Sequence, residues 1–170
     1  LQVQQSVRIG VVSDTHLAGA GLVLPEGLLV AFDGVAAIIH AGDILSLQVL
    51  DRLRQIAPVH AVHGNVDPPD VQHTLPDRLV VEVAGTRIGV THGHLGRGTT
   101  TPERALRYLQ SEAPLHAVVF GHTHVPLAEQ RHGVLLFNPG SPTQPRRQPR
   151  PSCGVLVLAQ GSVRGELVFL

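Results

Sequence analysis

The chain has 170 residues, carries 13 basic against 13 acidic side chains, and contains one cysteine. That length fits a single domain over residues 1–170 with a substantial core, and the zero formal charge gives no strong signal for nucleic acid or a membrane surface. No apolar stretch approaches the ~20 residues of a membrane span, and a lone cysteine excludes an internal disulfide framework.

The start, Leu1 to Ser6, is polar and short and does not resemble a secretory leader, so the cytoplasm is the expected location. Val7–Val12 (VRIGVV) reads as a buried strand ending in Ser13-Asp14-Thr15-His16. Pro25 opens a short helix that runs to about Phe32. Ala36–His40 is a second strand and ends at Ala41-Gly42-Asp43. Ser46 is placed to cap a helix with Leu47, Leu50, Leu53 and Ile56 on its apolar face. Val59–Val62 forms a third strand, ending at His63-Gly64-Asn65. Strand, helix, strand, helix, strand is the pattern of a right-handed parallel βαβ arrangement.

The second half changes character. Leu79–Val83 and Arg87–Thr91 flank Ala84-Gly85-Thr86 and predict a hairpin. Thr101-Pro-Glu-Arg predicts a helix with Thr101 as its N-cap and Leu106 and Leu109 inward. Ala117–Phe120 is a strand leading into Gly121-His122. Two further hairpins follow, Leu127–Arg131 with Val134–Phe137, and Cys153–Leu158 with Val163–Leu170. Cys153 reads as a buried strand thiol. Parallel units first and hairpins later predict an α/β fold: a sandwich of two mixed β-sheets flanked by helices, in α-β-β-α layers. Ser141–Pro151, rich in proline and arginine, is either a solvated loop or a segment hanging over the functional site.

Five short blocks carry the chemistry: Asp14-Thr-His16, Gly42-Asp43, Gly64-Asn65, His92-Gly-His94 and Gly121-His122-Thr-His124. Each follows or closes a predicted strand, so their loops gather at one sheet edge. Alone each block is weak, because Gly-Asn and Gly-Asp more often mark turns than metal sites. Jointly they supply more nitrogen and oxygen donors than one tetrahedral ion uses, which points to two metal ions and hydrolytic chemistry. Five of the 11 histidines fall in these blocks. No Gly-x-Ser-x-Gly motif competes as a nucleophile.

The order and identity of the blocks resemble the calcineurin-like metallophosphoesterases, and Phe137-Asn-Pro-Gly-Ser141 is similar to their small bacterial and archaeal phosphodiesterase branch, which includes the retromer scaffold subunit. The resemblance spans Asp14 to Ser141. It implies that Asp14, His16 and His124 hold one metal, that Asn65, His92 and His122 hold the other, and that Asp43 bridges them. His94 is then a catalytic or substrate-facing group beside Asp43 and Asn65. Carboxylate, amide and imidazole ligands suit two divalent ions, manganese foremost, with iron, cobalt, zinc or nickel also compatible. Such a pair activates a bridging water for in-line attack on phosphorus.

One departure bears on substrate. Many phosphatases of the superfamily carry histidine directly after Gly-Asn; here the residue is Val66, which has no proton to give and no charge to offer. A monoester dianion needs that donor more than a diester does, so a small phosphodiester is the expected substrate. Arg97, Arg146 and Arg147 are candidate phosphate contacts. Asp67, before Pro68-Pro69, reads as a turn former, with a salt bridge or the orienting of a neighbour as the alternative, and His40 as a group packed behind the site. The alternatives are a phosphomonoesterase, a nuclease or cyclic-nucleotide phosphodiesterase, and a catalytically silent scaffold.

Overall fold

The computed structural model describes residues 6–170, so Leu1–Gln5 of the polar start lie outside the described residues. The first half folds as β1 (Val7–Val12), α1 (Glu26–Ala31), β2 (Ala37–His40), α2 (Leu47–Arg54), β3 (Val59–Ala61) and α3 (Pro69–Thr74). The second half adds β4 (Arg78–Val83), β5 (Thr86–Thr91), α4 (Thr101–Tyr108), a 3-10 turn (Gln110–Glu112) and β6 (Ala117–Val119). It closes with β7 (Leu127–Arg131), β8 (Val134–Asn138), β9 (Ser152–Ala159) and β10 (Ser162–Phe169).

One sheet has the order β10-β9-β1-β2-β3 and the other β4-β5-β6-β8-β7. Strands β1, β2 and β3 are mutually parallel, as are β5, β6 and β8, while the hairpin partners run antiparallel. Side chains of a strand alternate between faces, and the sequence obeys this on both sheets. Ile9, Val11 and Ile39 meet Val90, Val119 and Phe137 between the sheets. Val12 and Ile38 instead face Leu28, Phe32 and the α2 trio Val49, Leu50 and Leu53. Val118 and Leu136 meet Ala105 of α4 and Leu109 at its C-cap. The layers are therefore helix, sheet, sheet, helix, as the sequence predicts. Each fully buried leucine in these interfaces contributes ~1.5–3 kcal/mol.

Local details correct the sequence reading. Glu26 rather than Pro25 is the first residue of α1, with Pro25 at its N-cap. Leu50 and Leu53 of α2 are fully buried and Leu47 and Ile56 pack against the same core, as expected; Val49 joins them, and the cap is Ser46. Helix α4 is capped by Thr100, not Thr101: its hydroxyl accepts from the Glu103 N–H, and the Glu103 carboxylate accepts from the Thr99 N–H and hydroxyl. Three consecutive threonines make that cap ambiguous in sequence. Among the described residues no helix is long and apolar enough to cross a membrane.

Six parallel strands thus run toward one end of the sandwich. Their trailing residues start the loops at Ser13, Ala41, Val62, His92, Phe120 and Pro139. All five histidine and acid blocks lie on these loops.

Candidate metal centre

The loops are fastened to one another before any side chain reaches inward. Asp14 N–H donates to the Gly42 carbonyl at 2.9 Å, and His16 N–H to that of Asp43 at 3.1 Å, joining the loops after β1 and β2. Gly121 N–H donates to the His92 carbonyl at 3.0 Å, joining those after β5 and β6. Glycine is required where loops meet: a Cβ on Gly64 would strike the Asp43 carboxylate, and one on Gly121 the Ser13 hydroxyl and Asp14. Asp14, His16, Asp43, His122 and His124 all adopt positive φ, between 45° and 71°. Left-handed backbone at so many non-glycine residues is strain held in place by the surrounding structure.

Each acid divides its two oxygens between support and site. Asp14 Oδ2 accepts from the Ser13 hydroxyl at 2.6 Å and the His122 N–H at 3.0 Å. Its Oδ1 is left facing His124 Nε2 at 3.2 Å and His16 Nε2 at 3.8 Å. Asp43 Oδ1 accepts from the Val66 N–H at 3.0 Å, leaving Oδ2 3.2 Å from His92 Nε2 and 3.7 Å from His16 Nε2. Asp14, His16 and His124 form one triad able to hold a cation, and Asp14, Asp43 and His92 another. Asn65 extends the second, its Oδ1 lying 3.1 Å from His92 Nε2 and 3.0 Å from His122 Nδ1.

The imidazoles are pre-oriented. His92 Nδ1 lies 2.7 Å from the Ala41 carbonyl and His124 Nδ1 2.6 Å from that of Gln144. A carbonyl only accepts, so each Nδ1 carries the proton and each Nε2 lone pair points into the site. Asp14 Oδ1, His16 Nε2 and His124 Nε2 are buried with no hydrogen-bond partner among the described residues. Buried orphans gathered in one place are what a cation would satisfy. The residues present therefore fit a divalent metal.

Electrostatics say the same. Burial alone would raise the Asp14 carboxyl, but His124, His16 and His92 hold it far below the carboxylate range. Asp43 is lowered in the same way, burial being outweighed by His92. Burial disfavours a charged His92, yet Asp43 and Asp14 raise it on balance. The acid pair attracts positive charge, whether a proton or a metal ion supplies it. His94 and His122 are pushed down, first by burial and then by the charge of His92, His94 to about 4.

The seven predicted ligands are thus brought together: Asp14, His16, Asp43, Asn65, His92, His122 and His124. His94 joins the rim, its ring 5.4 Å from His92 and 6.4 Å from His122. His63, for which the sequence offers no role, lies 6.3 Å from His94. The three candidate arginines are all exposed. Arg97 lines a cleft that includes none of the seven predicted ligands, and Arg146 and Arg147 line another together with Thr123 and Val125, the chain neighbours of His122 and His124. The Ser141–Pro151 segment resolves into two parts. Ser141 and Thr143 hydroxyls donate to the carbonyls of Asp14 and Thr15 at 2.7 and 2.6 Å, so its first part braces the site. Its second part, from Arg146 on, is mostly exposed.

Two support residues stand behind the ligands. His40 is fully buried, as expected: its Nδ1 accepts from the Gly42 N–H and its Nε2–H donates to Thr15 Oγ1. The turn-former reading of Asp67 is overturned. Its carboxylate is 3% exposed and accepts four backbone N–H bonds, from Asp43, Ile44, Leu45 and Gly64, at 2.7–3.0 Å. The donors lie on a loop more than 20 residues upstream and on the turn before it, which no local pattern reveals.

Burial holds His40 neutral down to about 4. The unfolded chain therefore binds this proton at higher pH than the folded one, and stability falls as pH drops from 6.5 toward 4. His94 and His122 act in the same direction and His92 against it. His40 alone accounts for an expected loss on the order of 3 kcal/mol across that window. Thermal melts of metal-free protein between pH 7 and 4 check this. A His40→Asn variant should show a shallower decline, and an identical decline would refute the assignment.

A helix-flanked double sheet presenting two adjoining acid–imidazole clusters at its parallel strand ends is the architecture of a metal-dependent phosphoester-binding domain. The chain belongs to the calcineurin-like phosphoesterase superfamily, whose domain profile matches residues 7–161. A probable metallophosphoesterase of Methanothermobacter thermautotrophicus is 41% identical over 139 residues, covering 81% of this chain and 78% of that relative. Phosphodiesterase YfcE of Escherichia coli is 32% identical over 147 residues, covering 75% of this chain and 76% of the enzyme. In three dimensions, Vps29 of Entamoeba histolytica complexed with Zn2+ aligns with a TM-score of 0.72 at 24% identity, covering 96% of this chain and 99% of that one. The last likeness shows the shared fold.

Proposed function

We propose that this protein is a phosphodiesterase that hydrolyses small phosphodiesters at a dinuclear centre. Asp14, His16 and His124 would hold one divalent ion; Asn65, His92 and His122 would hold the second. Asp43 would bridge them through Oδ2, which already faces His16 on one side and His92 on the other. When bound, two such ions, manganese foremost, supply an acidified water and neutralise charge on the phosphoryl oxygens. The single observation that carries the reading is the convergence of Asp14 Oδ1 and the Nε2 atoms of His16 and His124, buried and unpartnered, beside Asp43.

The chain's own residues do the rest. The carbonyls of Ala41 and Gln144 fix the His92 and His124 rings, so the ligand lone pairs need no reorganisation. His94, on the rim beside His92 and His122, would hydrogen-bond the ester. Val66 is 47% exposed beside Asn65 and offers neither proton nor charge where many relatives in the superfamily place histidine. A site without that donor favours the singly charged diester over the monoester dianion. The named diesterase among the relatives supports the same choice.

The test strips the protein with chelator, reloads Mn2+, and compares bis-p-nitrophenyl phosphate with p-nitrophenyl phosphate. Metal-dependent turnover with a higher kcat/KM on the diester is the expected result. Preference for the monoester would discard the Val66 argument, and metal binding with no hydrolysis of any phosphoester would favour a scaffold.

A further inference from the structure

Beyond the metal centre, on the α4 face of the second sheet, lies a cleft of about 460 Å3 walled by Arg78, Arg97 and Arg107 with Tyr108 and Ser111. No acidic side chain lines it. Three guanidinium groups line one concavity. Two of them have acidic neighbours outside its lining: Glu103 pairs with Arg107 at 2.6 Å, and Glu112 stands 4.0 Å from Arg78. Asp77 accepts from the Tyr108 hydroxyl at 2.8 Å, which leaves Arg97 as the guanidinium without an acidic partner among the described residues.

The arginines are held to different degrees. Arg78 is fixed: Nη1 donates to the Tyr108 carbonyl at 3.0 Å, and its guanidinium lies 5.0 Å from the centre of the Tyr108 ring. Arg97 is fixed only at its base. Gly96, at φ 88°, packs so closely on the Arg104 carbonyl that no Cβ fits, and Gly98 packs on Glu103. The Arg97 side chain itself has no hydrogen bond or ion pair with another described residue. A rigid wall with one unengaged guanidinium is suited to a planar fork of bonds to phosphate oxygens.

Two residues of the cleft wall lie close in strand register or chain to the metal loops. Arg78 pairs in register with Thr91, the residue before His92, and Arg97 follows His94 by three residues. We propose that it binds a second phosphate group of the substrate, distant from the scissile bond. The preferred substrates are then diesters that also carry a terminal phosphate. This deepens the diesterase reading and rests on it.

The experiment compares a 5′-phosphorylated dinucleotide with its unphosphorylated counterpart on Mn2+-loaded enzyme. Wild type should favour the phosphorylated compound about tenfold in kcat/KM, and Arg97→Gln and Arg78→Gln should each bring the ratio toward one. Alongside, calorimetric titration of chelator-treated protein with inorganic phosphate at low salt should show binding that weakens about tenfold in Arg97→Gln. Hydrolysis of both dinucleotides at equal efficiency by wild type overturns the cleft and leaves the diesterase reading intact. A wild-type preference that survives both substitutions overturns it too. Failure to hydrolyse any diester refutes the diesterase reading, and with it the role of the cleft as a substrate subsite, even if phosphate still binds.

Discussion

Asp43→Ala is expected to abolish metal-dependent diester turnover, lowering kcat/KM by about a thousandfold or more, and to reduce tight Mn2+ binding from two ions to one at most. Asp43 Oδ2 lies within 4 Å of both His16 and His92, so one oxygen would serve both halves of the proposed centre. Removing it takes away a carboxylate oxygen that faces both clusters. A thousandfold loss corresponds to about 4 kcal/mol of transition-state stabilisation. Calorimetric Mn2+ titration separates loss of metal from loss of chemistry. Two ions bound with wild-type affinity in the variant would show that Asp43 does not bridge.

Asp67→Asn should be nearly as damaging, although it touches no predicted ligand side chain except through the backbone of Asp43. Four N–H donors converge on two carboxylate oxygens. An amide presents one oxygen and one NH2, so two donors would face another donor. Each buried donor left unsatisfied costs ~1–3 kcal/mol. The loop carrying Gly42, Asp43 and Leu45, all at positive φ, would lose its clamp. Mn2+ affinity is expected to fall by about 10- to 100-fold, as when outer-shell partners of metal ligands are removed. The metal-free melting temperature should fall as well. A turn-forming aspartate would behave otherwise, since asparagine serves as well in a turn. Stability within ~0.5 kcal/mol of wild type, with unchanged Mn2+ binding, would return Asp67 to that lesser role.

Much of the fold was legible because its signals are local. The hairpins at Ala84-Gly85, His132-Gly133 and Gln160-Gly161 each place glycine at the second turn position between alternating strands. Helix α3 was not legible: it opens at Pro69 behind a second proline and buries only Val71. The metal blocks could be read because each closes a strand, and strand direction alone brings them together. Asp67 and His63 could not, since their partners come from other loops. Nor could the arginines. Their long side chains end wherever neighbouring loops leave room, and nothing in the sequence shows which cleft Arg97, Arg146 or Arg147 lines.

The three tight hairpin turns have a consequence of their own. Both central residues of each have positive φ, and strand directions put all three at the end of the sandwich away from the metal loops. The molecule is polarised into a scaffold pole of clipped turns and a working pole of long, mutually fastened loops. Fluorophores, surface tethers or inserted peptides belong at the scaffold pole, where they can lengthen a turn without reaching the chemistry.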